Sequence, residues 1–369
     1  MIKVTYQATD PDRDPSILAE NIAREQSLEL TRALIPEAIA ERLLGRVLTV
    51  QAIDEKRWQL EIEYPVELAS GQIGQLLQLV YGNVSFYPRI RLQALELPDA
   101  LLNALPGPRS GISGIRDWVG VDDRALLMTV LKPRGSAPEA LAGLALAFAR
   151  GGGDIIKDDQ NLVEADLDAF RKRVSACAAA IAGAAEATGR RCLYLPHVAG
   201  SGDHLQRQLD VICELGLGGV VLCTWVMGLE TAASAARERD LMWLSHPAVA
   251  GTFTEPHDRG IAGPVLLGTL VRAAGADISI FPGQGGRIRS GSADEVDRTC
   301  QALTGPLGFL RSALPCFGGG KTLQHAPEAA SAHGPDCAIL VGGDLIGRGH
   351  RIEAETAATI TALAAAGRR

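Results

Sequence analysis

The stretch "GGGDIIKDDQNL", Gly151 to Leu162, runs from a glycine turn through a short apolar segment into a lysine and two aspartates. Two isoleucines bounded by turn residues read as a buried strand. Lys157, Asp158 and Asp159 then stand where the strand runs out, a place where charge is costly unless it is paired or used. The same rhythm recurs along the chain. "LLMTVLKP", "CLYLPHV", "GVVLCTW", "LMWLSHP", "DISIFPG", "SALPCFGGG" and "CAILVGGD" are each a short apolar strand ending in polar or glycine-rich residues. Amphipathic helical stretches such as "APEALAGLALAFARG" and "DHLQRQLDVICELG" lie between them. Eight βα units within 126–369 predict a (β/α)8 TIM barrel, a fold of roughly 250 residues. An open doubly wound sheet is the competing architecture, but no GxGxxG follows the first strand.

Residues 1–125 read differently. "IKVTYQAT", "VLTVQAIDE", "WQLEIEYP" and "RIRLQALELP" alternate apolar and polar, with helical segments "SILAENIARE" and "QIGQLLQLVYG" between them. Half-exposed antiparallel strands with that order predict a small ferredoxin-like α+β domain. "LPGPRSGISGIRDWVG" is expected to connect it to the barrel domain.

Composition narrows the function. A net charge of −7 without a Lys/Arg cluster speaks against nucleic acid or an anionic membrane as main partner. The uncharged run between Glu214 and Glu230 contains four glycines and falls short of the roughly 20 apolar residues of a spanning helix. The N-terminus lacks the apolar core of a secretory signal, and seven cysteines without CxxC spacing suit reduced thiols, so a cytoplasmic location is expected.

Barrel chemistry sits at the C-terminal ends of the strands. Those ends carry Lys132 and Arg134, then Lys157 to Asp159, His197, Ser245 with His246, and Arg287. Gly318, Gly319 and Gly320 end the seventh strand, and Gly342 and Gly343 the eighth. Glycines there let backbone N–H groups approach an anion, and these two loops are the usual phosphate seat of barrels. Tight strand-to-helix turns are the alternative use of the same glycines. Arg287 has glycines before it and is placed to close over such an anion as a mobile cation. A lysine desolvated at a strand end favours its neutral amine, which reacts with CO2 to give a carbamate. With Asp159 beside it, that carbamate would hold a hard cation such as Mg2+. A simple salt-bridge cluster is the plainer reading of the same residues.

Taken together the motifs resemble the RuBisCO large-chain superfamily. "GGGDIIKDDQN" is similar to its carbamylated-lysine motif K-D-D-E, "LKPRG" to its K-P-K segment, and "YGNVSFYP" to its F-G-N-V segment. "LPCFGGG" and "LVGGD" resemble its two phosphate loops. Gln160 stands in place of the glutamate ligand, Ser245-His246 in place of His-Arg, and Arg287 in place of the sixth-loop lysine. These departures resemble the RuBisCO-like proteins of form IV, non-photosynthetic branch, and are unsuited to CO2 fixation.

The resemblance implies a homodimer in which Glu25 and Asn83 enter the neighbour's site. It also implies Lys157, Asp159 and Gln160 as metal ligands, with Gln160 offering only a neutral amide oxygen. Lys132 would act at the reacting carbons, and Arg134 would keep only the charge of the lysine it replaces. His197 would serve near the metal or substrate and His246 at a substrate oxygen. The implied chemistry is an enolate reaction of a phosphorylated keto sugar acid, by decarboxylation or C–C cleavage, with 3-oxo-isoapionate 4-phosphate as an example. Enolisation or isomerisation of a methylthio-sugar phosphate in methionine salvage is the alternative enzyme, and a non-catalytic sugar-phosphate-binding paralogue the alternative to both.

Overall fold

The computed structural model describes residues 1–366; the last three residues of the expected 126–369 barrel segment lie outside the described residues. Strands β1 (Ile2–Thr9), β2 (Arg46–Ala52), β3 (Arg57–Tyr64) and β4 (Ile90–Glu96) form an antiparallel sheet in the order β4-β1-β3-β2. β1 buries Ile2, Val4, Tyr6 and Ala8, every second residue. Helix Pro15–Ser27 packs on β2 and β3, and helix Ile73–Tyr81 packs beside it. That is the βαββαβ arrangement read from the alternation.

The barrel strands are β5 (Leu126–Leu131), β6 (Ile155–Asp158), β7 (Leu193–Leu195), β8 (Gly219–Leu222) and β9 (Met242–Ser245). After the two-residue β10 (Gly260–Ile261) follow β11 (Ile278–Phe281), β12 (Leu314–Phe317) and β13 (Ala338–Leu340). All eight barrel strands run parallel in the order β7-β6-β5-β13-β12-β11-β9-β8. A bridge between His197 and Val221 joins the two ends of that order and closes the cylinder.

Side chains alternate across each strand. Leu126, Met128, Ile155, Leu193, Leu195, Val221, Leu244, Ile278, Ile280, Leu314, Cys316 and Ala338 fill the inside. Their neighbours Leu127, Ile156, Tyr194, Leu222 and Phe317 belong to the larger core beneath the helices.

Two features go beyond the reading of the sequence. The segment expected as a plain connection contains helix Gly111–Val119, whose Ile112, Ile115 and Val119 pack onto the inner residues as the barrel floor. Buried Asp277 at the start of β11 anchors it by accepting the N–H groups of Ser110 and Gly111 at 2.7 and 2.8 Å. Second, β10 leaves the barrel to pair in parallel with β4. Arg91 of β4 reinforces this junction, donating to the Thr254 and Arg259 carbonyls and pairing with Glu295 at 2.8 Å. Among the described residues no helix is long and apolar enough to cross a membrane, and all seven cysteines are free thiols.

Candidate active site

The inside-outside alternation sorts the charged tail of β6. Ile155, Lys157 and Asp159 share one phase and Ile156 and Asp158 the other, so Lys157 and Asp159 face the barrel axis while Asp158 faces the helix layer. Asp158 is fully buried, ion-paired with Arg173, and accepts hydrogen bonds from the Tyr194 hydroxyl at 2.9 Å and the His197 N–H at 3.1 Å. Arg173 also grips Glu164. Burial nonetheless pushes the Asp158 carboxyl up, against the pull of the guanidinium. Asp158 is therefore a structural carboxylate that holds the end of β6 to its neighbours.

Lys157 is 1% exposed, so a surface salt-bridge cluster does not describe it. Burial lowers its pKa although Asp159 and Asp158 work in the other direction. A lowered lysine spends more of its time as the neutral amine.

Two residues beyond the last inward position of their strands stand Lys132, His197, Cys223 and His246, which the same alternation brings to the barrel mouth. Lys132 lies against Gly342: a Cβ built there would be 3.3 Å from Lys132 Nζ and 2.6 Å from Val130 Cγ1. Gly342→Ala is therefore expected to displace the amine, cutting turnover about tenfold or more. Thermal or denaturant unfolding should register only the overpacking, about 1–3 kcal/mol.

His197 is 3% exposed, its Nε2 is 3.5 Å from Cys223 Sγ, and its Nδ1 has no hydrogen-bond partner among the described residues. Burial, helped by the Lys157 charge, brings its pKa down to about 4. The unfolded chain, with a histidine pKa near 6.5, takes up that proton first as acid is added. Stability present above about pH 6.5 is then lost towards pH 4, by up to about 3 kcal/mol. Denaturant titrations of metal-free protein across that range should show the loss, and His197→Asn should reduce it while the share of His246 remains.

His246 is held neutral by burial, reinforced by Lys157 and His197. Its Nδ1 accepts the Ala248 N–H at 3.2 Å, which leaves the ring proton on Nε2. Ser245, one residue earlier, faces outward and bonds the Thr224 hydroxyl at 2.7 Å.

A cavity of about 390 Å3 opens beside His246. Gln160, Pro247, Ala250, Leu267, Ile280, Pro282, Ile288, Arg289, Gly319 and Leu340 line it. Gly319 and Gly320 adopt left-handed φ values of +79° and +90°. Gly318 donates its N–H to Phe281 at 3.0 Å, which completes the strand ladder, and its missing side chain leaves room for Ile280 and Leu340. Gly343 begins the short helix Gly343–Ile346 that follows β13. The loop after β11 folds onto these glycines: Ile288 N–H donates to Gly319 at 2.8 Å, and Arg287 places its Cβ against Gly320. Arg134 is exposed beyond Lys132.

Glu25 and Asn83 lie together on the N-terminal domain, 3.0 Å apart, with Glu29 also accepting from Asn83 at 2.9 Å. Among the described residues neither hydrogen-bonds a barrel residue.

As bare side chains the mouth does not present a metal site. Among the described residues no three His, Cys, Asp or Glu side chains gather as ligands. The donor chemistry fits a hard cation once Lys157 becomes a carbamate, which adds an oxygen donor next to Asp159 and Gln160.

Sequence reasoning passed over Cys223, Arg289 and Lys321 as site residues. Cys223 had the signal of phase, two residues after inward Val221, and Lys321 directly follows the glycine run.

Residues 111–368 match the family described as ribulose bisphosphate carboxylase large chain, catalytic domain. This chain belongs to the RuBisCO large-chain family. Within it the similarity runs to RuBisCO-like proteins. The RuBisCO-like protein 1 of Rhodopseudomonas palustris is 38% identical over 367 residues, covering 98% of this chain and 96% of that protein. The 5-methylthioribulose-1-phosphate isomerase of Rhodospirillum rubrum is 33% identical over 371 residues, covering 100% and 97%. A crystal structure of a RuBisCO-like protein from R. palustris superposes with a TM-score of 0.89 at 34% identity, covering 100% of this chain and 99% of that one. The two-part fold read from the sequence is thus the fold of this family.

Proposed function

We propose that this RuBisCO-like chain moves a proton next to the carbonyl of a phosphorylated methylthio-sugar, as an isomerase or enolase, and does not fix CO2. The observation that carries the reading is the cavity beside His246, whose wall of Ala250, Leu267, Ile280, Pro282, Ile288 and Leu340 suits an apolar thioether tail. Gln160, His246, Thr254, Glu255, Arg289 and Ser290 stand in the same wall and offer polar partners to the sugar phosphate end of such a substrate. The R. rubrum isomerase, similar over its whole length, supports the same substrate class.

In this reading the N–H groups of Gly319, Gly320, Gly342 and Gly343 seat the phosphate and fix the carbonyl over the barrel axis. Lys132 Nζ, held at Gly342, takes or returns the carbon-bound proton. His246 donates its Nε2–H to a substrate oxygen, and neutral His197 keeps the floor of the site uncharged. Lys157 as carbamate, Asp159 and Gln160 would hold Mg2+, which supplies positive charge to the enolate oxygen when bound. Arg134 and Arg287 add positive charge at the rim. A second copy of the chain would bring Glu25 and Asn83 to the mouth; Phe86, 89% exposed beside Asn83, is the apolar contact such a dimer would bury.

Incubation with 5-methylthioribulose 1-phosphate and, separately, 3-oxo-isoapionate 4-phosphate tests the assignment by product mass. A product of unchanged mass from the first and no CO2 or fragment from the second is expected. Release of CO2 or a split product from the second, with the first untouched, would overturn it.

A further inference from the structure

Lys321 follows the three glycines after β12, is 4% exposed, and donates from Nζ to the Gln284 carbonyl in the loop after β11. Burial of a lysine in a loop needs a reason, because the ammonium gives up its water shell. The surroundings sharpen the question. Arg289 repels Lys321, adding to the effect of burial in lowering its pKa. Arg287 sits with its Cβ against Gly320 and Arg289 lines the cavity with Gly319. Among the described residues none of these three cations forms an ion pair. Glu255, a carboxylate in the same cavity wall, accepts instead from the Ser290 and Thr254 hydroxyls at 3.0 and 3.2 Å. The Gly319 and Gly320 N–H groups have no acceptor among the described residues either. Buried Lys321 and the Gly319 and Gly320 N–H groups thus lie on one short stretch without a negative partner, with the exposed Arg287 starting beside Gly320 and Arg289 on the cavity wall.

We propose that Lys321 is the buried phosphate-binding cation of this site and, through Gln284, the tie that holds the loop after β11 over the bound phosphate. The inference rests on the phosphate seat of the proposed function but assigns it a residue and a loop. An ammonium has three N–H groups; one serves the Gln284 carbonyl, which leaves two to donate to a phosphate. A phosphate oxygen taken up there compensates the repulsion between Lys321 and Arg289, so ligand binding and loop closure reinforce one another.

The test is calorimetric titration of inorganic phosphate into the full chain, comparing wild type with Lys321→Met, which keeps the stem, and Lys321→Arg, which keeps the charge. Circular dichroism verifies that each variant is folded. Loss of one charge-assisted contact is expected to weaken phosphate binding at least about tenfold in Lys321→Met, with partial recovery in Lys321→Arg. Limited proteolysis within residues 282–291 should accelerate in Lys321→Met, and phosphate should protect wild type only. Equal phosphate affinity in wild type and Lys321→Met overturns the assignment while leaving the isomerase reading intact. Absence of phosphate binding by wild type overturns both the assignment and the seat. Lys321-dependent phosphate binding by a protein that converts neither sugar phosphate sustains the assignment and removes the proposed function.

Discussion

Replacing Asp158 with alanine is expected to cost about 3–5 kcal/mol of folding stability, the range for breaking a buried ion pair from one side. The carboxylate is fully buried and holds Arg173, the Tyr194 hydroxyl and the His197 backbone. Without it Arg173 keeps Glu164 alone, and a buried hydroxyl and amide lose their acceptor. Denaturant unfolding checks this, and a loss under about 1 kcal/mol would contradict the outward placement of Asp158. Any activity loss should follow from the fraction unfolded and be recovered by conditions that stabilise the fold.

The adjacent residue should behave in the opposite way. Lys157→Met is expected to lower turnover by about 10^2 to 10^4, the usual effect of removing a group that acts on the reacting proton or charge. Folding stability should stay level or rise, since a thioether replaces an amine that burial already disfavours in its charged form. Unfolding midpoints and single-turnover rates, measured on the same preparations as Asp158→Ala, separate the two roles. A large stability loss in Lys157→Met would mean that the amine is a structural partner of Asp158 and Asp159.

The contrast between neighbours follows from the two-residue period of a strand, and that period made most of the fold legible. The alternation of β1 and the eight strand ends with polar or glycine tails can be read without coordinates because each is a local pattern. Helix Gly111–Val119 was not legible, since two glycines and a serine disguise it and its purpose is to meet Met128, Leu193 and Leu244 from distant strands. The partners that make outward Asp158 structural, Arg173 and Tyr194, are linked to it by no local pattern. In the same way Lys321 gains its significance from Gln284 and Arg289, which the loop after β11 brings across from another unit. Local periodicity located the mouth; pairing between units decided which of its charges are structural.

In the proposed reaction Lys132 moves a proton next to a carbonyl, and buried Lys157 supplies the group on which the charge developing there depends. Incubation of wild type and Lys157→Met with 5-methylthioribulose 1-phosphate in D2O, followed by proton NMR and mass spectrometry, tests it most directly. Wild type is expected to exchange or relocate a carbon-bound proton with the carbon skeleton intact, and Lys157→Met to do so at least about 10^2-fold more slowly. Unchanged exchange in Lys157→Met, or a wild-type protein that leaves every carbon-bound proton in place, would contradict it.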